Sequence, residues 1–204
     1  MFFEKISFDV VSIYKTNVFD KVDISKLYDI GHELRHFLPI KNIDKEHAPG
    51  YQISIPSNHS ASELLYYVSK LCVEHYSKVH NLNYTNWYSA SWFYISESTL
   101  TDSNYHHHLF IGDSNSNTFN DVPTTFTAVL YLSLPELISD KEGAIRFKTE
   151  TGKEYDIYPK LGDLIWFPPG LQHKPLLNPS SKTPRYTLGT NFYIHKKRGG
   201  GSLI

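Results

Sequence analysis

From residue 87 to residue 194, apolar and polar positions alternate in short runs, the period of strands. Residues 124–134 alternate most cleanly, with Phe126, Ala128, Leu130 and Leu132 on one face and Thr127, Val129 and Tyr131 on the other. The same pattern predicts strands over 87–95, 105–111, 144–149, 155–158, 164–167 and 185–194. Residues 1–19 also alternate as one strand, in which Ile6, Phe8 and Val10 share a face, with Val11 and Ile13 on the other after a slip. Two segments instead repeat at helical spacing. Residues 23–38 place Ile24, Leu27, Leu34 and Leu38 on one side, and Pro39 ends the run. The second helix starts at a Ser60/Glu63 capping box and carries a stripe of Leu64, Leu65, Val68, Leu71, Cys72, Tyr76 and Val79. Residues 51–55 make one further short strand.

Helices ahead of many short strands, with turns rich in Gly, Pro, Asp and Ser, predict a mainly β chain, a sandwich or jelly roll with flanking helices. A length of 204 residues fits one domain over 1–195, with a helical buttress at about 20–85, a jelly-roll core at about 87–194 and a flexible tail at 196–204. A net charge of −1 gives no indication of nucleic-acid binding, without excluding it. No apolar run is long enough to span a membrane. The single cysteine, Cys72, fits a reducing compartment, so the expected location is cytoplasmic. Oligomeric state is not legible.

Two stretches carry chemistry. Gly162-Asp163 opens a turn, Leu164 to Phe167 form an apolar strand, Pro168-Pro169-Gly170 breaks it, and His173 stands just beyond. A second strand begins at Arg185; its alternate positions Arg185, Thr187, Gly189 and Asn191 are polar or small, the pattern of a pocket wall. Upstream lies His106-His107-His108. On a strand, His106 and His108 point together while His107 points away. With His173 they make a three-point facial ligand set that leaves positions open. Imidazole suits iron, copper, zinc or nickel alike. Arg185 can grip a carboxylate through two parallel hydrogen bonds, with the Thr187 hydroxyl beside it and the Tyr131 phenol across the pocket. The bland alternative is a solvated His triplet, a loop His and a surface Arg.

The pieces Trp92-Phe93-Tyr94-Ile95, His106-His107-His108, Ala128-Val129-Leu130-Tyr131-Leu132, Gly162 to His173 and Arg185-Tyr186-Thr187 together resemble a non-haem Fe(II), 2-oxoglutarate-dependent oxygenase. The pattern is most similar to small phage and bacterial oxygenases related to prolyl hydroxylases, over about residues 87–194. The resemblance implies a double-stranded β-helix fold. It implies Fe(II) on His106, His108 and His173, and 2-oxoglutarate held by Arg185 with Thr187, Tyr131 and Asn191. It further implies O2 as co-substrate and hydroxylation of an unidentified substrate, by default a protein side chain such as proline. Two departures stand out. Most such oxygenases carry a carboxylate where His108 stands, and Asp113 is an alternative ligand. The stretch GDLIWFPPGLQH also resembles cupins, although the Glu that cupins place shortly after His-x-His is missing. A cupin-type metal enzyme without 2-oxoglutarate and a non-enzymatic jelly-roll binding module therefore stay open. The polar runs at 96–104 and 112–122 flank the His triplet and are candidates for substrate loops.

Overall fold

The structure, a computed structural model, describes residues 1–9, 11–37, 51–55, 59, 61–96, 104–109, 124–134, 143–176 and 183–196. In chain order the elements are β1 (Glu4–Phe8), β2 (Val11–Asn17), α1 (Ile24–Phe37), β3 (Tyr51–Ser54), α2 (Ser62–Val79), β4 (Tyr84–Ser96) and β5 (Phe126–Tyr131). They continue with β6 (Ile145–Lys148), β7 (Glu154–Ile157), β8 (Asp163–Phe167), β9 (Gln172–Pro175) and β10 (Arg185–Lys196). A seven-stranded sheet runs β1-β2-β8-β5-β10-β4-β3 and a three-stranded sheet runs β7-β6-β9, with antiparallel pairing throughout.

The larger sheet is covered on both faces, which is why even the polar side chains of its central strands, Thr127 on β5 and Arg185, Thr187, Thr190 and Asn191 on β10, are buried. All five residues of β8 are buried. Leu164 and Trp166 join the core beneath the helices, while Ile165 and Phe167 join the core between the sheets. The same division splits β5, with Phe126, Ala128 and Leu130 toward the helices and Val129 and Tyr131 toward the smaller sheet. On β10, Tyr186, Leu188 and Phe192 enter the helical core. Each such side chain contributes about 1.5–3 kcal/mol by burial, which locks the phase of the strand. The odd-numbered positions of β10 are thereby committed to the opposite face.

Several expectations change. The first strand is a hairpin: Phe8 pairs with Val11, and Asp9 sits at φ 50, a left-handed turn conformation that Asp tolerates. The slip in the pattern marks that turn. The first helix is found, with the Asp23 carboxylate accepting the Lys26 N–H at 2.9 Å; Leu38 and Pro39 lie outside the described residues. The second helix begins after Ala61, which makes no side-chain cap bond, and Ser60 lies outside the described residues. Val79, expected in the stripe, is 37% exposed, whereas Val73 is fully buried. The His triplet, expected on a regular strand, makes only an isolated bridge; His173 lies on β9. The loops expected at 96–104 and 112–122 fall almost wholly outside the described residues, as does Asp113. Among the described residues, no helix is long and apolar enough to cross a membrane.

Candidate metal and anion site

The smaller sheet and the Pro168-Pro169-Gly170 corner place the imidazoles. β9 pairs with β6 so that His173 lies opposite Phe147. His106 and His173 exchange both backbone hydrogen bonds, N–H to C=O at 3.0 Å in each direction. One step on, the His108 N–H donates to Pro169 C=O at 2.8 Å. The segment is thus held extended without a full strand partner, and alternation follows. His106 and His108 turn inward; His107 is exposed, its Nδ1 accepting the Leu109 N–H at 3.3 Å.

The ligand atoms of His106, His108 and His173 all lie within 4.8 Å of one another. His108 Nε2 and His173 Nε2 are 3.3 Å apart. Bonds of about 2.1 Å at right angles put donor atoms about 3 Å apart, which the His108–His173 pair matches as it stands. His173 Nδ1 lies 3.0 Å from Leu171 C=O. A proton on that nitrogen, donated to the carbonyl, leaves the Nε2 lone pair facing the cluster. Burial holds the His108 imidazole down to about 3, with His106 and His107 adding to the effect, and pushes His173 well below its ordinary range. Both rings therefore stay neutral, the form that binds a metal. Among the described residues, no carboxylate joins the cluster.

These shifts carry a prediction for protein stripped of metal by a chelator. The folded-state pKa values of His108 and His173 lie below the unfolded value of about 6.5, so the unfolded chain takes up protons that the folded chain refuses. Stability is full above that value and falls as pH drops through the window toward about 3. The slope is about 1.4 kcal/mol per pH unit for each such group. Urea unfolding at pH 7 and pH 5 should show the loss, and His108→Gln should flatten it. An equal slope in the variant would place the proton uptake elsewhere.

Arg185 stands at the head of β10, 5% exposed. Its contacts are long: Nη1 to Gly143 C=O at 3.4 Å and Nη2 to Ser96 Oγ at 3.5 Å. Nε meets no partner. A buried guanidinium held this weakly is an anion site in waiting, because an uncompensated buried charge is costly. Thr187 and Tyr131 face each other across β10 and β5. The Tyr131 phenol is pushed up to about 12 by burial, against the pull of Arg185, so it remains a neutral donor. The Thr187 hydroxyl donates to Tyr94 C=O at 3.2 Å and must turn to serve an anion. Asn191 lies six residues along the strand from Arg185, about 20 Å in extended chain. Its Oδ1 accepts the Thr127 hydroxyl at 3.0 Å.

Sequence reading missed Tyr94 and Ser96. They reach Arg185 through the β4–β10 register, which pairs Arg185 with Ser96 and Thr187 with Tyr94. Burial raises the Tyr94 phenol, and Ser96 hydrogen-bonds to it. Trp92, two positions before Tyr94, lies opposite Gly189, and its ring is 5.6 Å from the His108 ring. A Cβ at position 189 would sit 2.5 Å from the Trp92 indole. Only glycine leaves room for the indole there, where it borders the cavity beside His108. Gly189→Ala should displace the indole, cost about 1–3 kcal/mol of stability and shift tryptophan fluorescence. An unchanged melting temperature and spectrum would show that the wall is soft.

All seven site residues named from the sequence border one cavity of about 750 Å³. No family model and no curated protein matches the chain. Solved structures do match. A prolyl-4-hydroxylase from Pseudomonas putida is 17% identical over 92% of this chain and 93% of that one, with a TM-score of 0.63. A prolyl hydroxylase from Trichoplax adhaerens, solved with a hypoxia inducible factor peptide fragment, is 15% identical over 89% and 83%, with a TM-score of 0.64. A non-haem α-ketoglutarate-dependent epimerase from nogalamycin biosynthesis is 11% identical over 88% and 76%, with a TM-score of 0.65. The chain shares their jelly-roll fold. Hydroxylases and an epimerase are built on it, so the fold by itself does not select the reaction.

Proposed function

We propose that this protein is a non-haem Fe(II), 2-oxoglutarate-dependent oxygenase that hydroxylates a substrate still to be identified, by default a protein side chain. The observation that carries the reading is the pairing, in one cavity, of three converging imidazoles with a buried guanidinium whose Nε is bare. An ion-binding point and a separate anion grip are what a chelating dicarboxylate requires. The fold of solved oxygenases supports the same reading.

His106, His108 and His173 would hold Fe(II), leaving open positions for the co-substrates. When bound, Fe(II) with 2-oxoglutarate and O2 supplies the oxidant for a C–H bond. Arg185 would hold the distal carboxylate of 2-oxoglutarate, with the Tyr131 phenol and the turned Thr187 hydroxyl donating to it. Tyr94 closes the wall beside that grip, and the Trp92 indole bounds the reacting end. Asn191 would meet the substrate rather than the dicarboxylate. Neutral histidines in place of a carboxylate leave the ion's charge undiminished, which favours a dianionic co-substrate over water.

Succinate release from 2-oxoglutarate by the iron-loaded protein tests the reading. The absence of a carboxylate among the described ligands favours, as a second reading, a metal enzyme that does not use 2-oxoglutarate. Iron binding without 2-oxoglutarate binding or succinate release would select that second reading.

A further inference from the structure

Among the described residues, the His106–His108 segment meets β9 through an isolated bridge rather than a ladder. Backbone groups are the same at every residue, so such bonds can re-form one residue along. That slip would turn His107 into the cavity and His106 and His108 away from it. Side chains are not interchangeable in this way, and a side chain committed to the outer face holds the phase. Tyr105 has the same parity as His107 and is half-buried, whereas His107 is exposed. Tyr105 does not border the cavity, although His106, His107 and His108 do.

The antiparallel bridge between His106 and His173 sets Tyr105 beside Lys174, one step away. Lys174 lies opposite Arg146 on β6, and Arg146 and Lys148 lie opposite Asp156 and Glu154 on β7. These positions share the outer face of the three-stranded sheet, which is charged and offers an aliphatic side chain little to pack against. Arg146 is occupied there: Nε and Nη2 donate to the Asp156 carboxylate at 2.6 and 2.8 Å, and Nη1 to Glu154 at 3.0 Å. The two lysines meet Tyr105. Lys174 Nζ stands 5.0 Å and Lys148 Nζ 5.3 Å from the centre of its ring, both in cation–π range. Lys148 belongs to β6, beyond β9, so the ring ties the segment to two strands. At the other end of the segment Leu109, of the same parity, lies over the Pro-Gly corner: a Cβ at Gly170 would be 3.1 Å from its Cδ1.

We infer that Tyr105 is a positioning residue for the three-imidazole cluster: its ring, held by Lys148 and Lys174 on the outer face of the smaller sheet, fixes the phase that turns His106 and His108 into the cavity. The reversed phase would take the ring from both ammonium groups and drive a bulky phenol among the imidazoles. Tyr105 acts through its chain neighbour His106 and not on the metal. The contact is made by the aromatic face, so phenylalanine can replace tyrosine here and an aliphatic residue cannot. That the segment is anchored this way stands on the geometry alone; that the anchoring prepares a metal site rests on the oxygenase reading.

The test compares Tyr105→Leu, which stays apolar but loses the aromatic face, with Tyr105→Phe, which keeps it. In the metal-free, 15N-labelled chain, amide exchange is followed at His106, whose N–H donates to His173 C=O at 3.0 Å. It should speed by roughly 5- to 30-fold in Tyr105→Leu, the scale of two cation–π contacts, and stay at the wild-type rate in Tyr105→Phe. Co(II), titrated into the same proteins and followed by its visible spectrum, reads the ligand geometry. Tyr105→Leu should bind it about tenfold more weakly, the low end for losing a group that orients a ligand, and with an altered spectrum. Tyr105→Phe should match wild type in both affinity and spectrum. Lys148→Met combined with Lys174→Met leaves Tyr105 in place and should reproduce the Tyr105→Leu result, which keeps the comparison decisive where Tyr105→Leu fails to fold. A lower melting temperature with wild-type Co(II) affinity and spectrum in Tyr105→Leu would overturn the proposal, since the role would then be structural alone. A Tyr105→Phe as impaired as Tyr105→Leu would also overturn it by moving the effect to the hydroxyl. Failure of the wild type to bind Co(II) would remove the metal reading, and exchange at His106 would still decide the anchoring: an unchanged rate in Tyr105→Leu would refute it.

Discussion

Fe(II) affinity will fall by more than about 100-fold when His173 is replaced by Ala, because loss of a direct ligand exceeds the 10–100-fold typical of losing a group that merely orients one. His173 has the tightest constraints of the three imidazoles. It is 3% exposed, bridged to His106 through the backbone and placed 3.0 Å from Leu171 C=O through Nδ1. No neighbouring side chain among the described residues can replace it, since the cluster contains only the three histidines. The truncation also leaves a small cavity, so His173→Gln, which nearly keeps the volume, should be measured beside it for both affinity and melting temperature. His108→Ala should lose most of the iron as well, and His108→Asp should retain a ligand on the same side of the segment. His107→Ala should bind normally, because its ring faces solvent. Normal iron binding by His173→Ala in a folded protein would rule the cluster out as the metal site.

The second large effect belongs to Arg185, and its signature is a split between affinity and stability. Arg185→Met should weaken 2-oxoglutarate binding by about 2–5 kcal/mol, the range for truncating one side of a buried charge pair. That corresponds to roughly 30-fold to several-thousand-fold in Kd. Fe(II) affinity should change little, since the guanidinium serves the far end of the dicarboxylate. The melting temperature of the ligand-free protein should hold or rise. The wild-type guanidinium is buried with two contacts of 3.4 and 3.5 Å and a bare Nε, so an apolar side chain of similar length relieves an uncompensated charge. A residue kept for stability would show the reverse: a lower melting temperature and unchanged 2-oxoglutarate affinity. Isothermal titration of the iron-loaded variant and a thermal scan of the apo form distinguish the two.

Much of this site was legible because strand chemistry has a period of two. Once Tyr186, Leu188 and Phe192 are required by the core, Arg185, Thr187, Gly189 and Asn191 must share the other face. The same rule sends His106 and His108 inward and His107 out, and it survives even though that segment is not a regular strand. Helical periodicity was equally readable for Ile24, Leu27 and Leu34, which a sheet-facing helix must bury together. Where a turn interrupts alternation the rule misleads. A single slip between Val10 and Val11 passes for a continuing strand, although the chain reverses at Asp9.

The tertiary structure decided whatever depends on pairing between distant segments. Local periodicity gives the phase of a strand but not its neighbour or its register, because those are set by long-range packing of whole faces rather than by adjacent residues. That His173 lies on β9 beside β6, that Ser96 and Tyr94 meet Arg185 and Thr187, and that Trp92 rests against Gly189 are all facts of register. The sequence by itself determined which side chains share a face, since side-chain direction follows from backbone geometry residue by residue. Only the folded chain decided which faces meet, and hence that three imidazoles and one guanidinium border the same cavity.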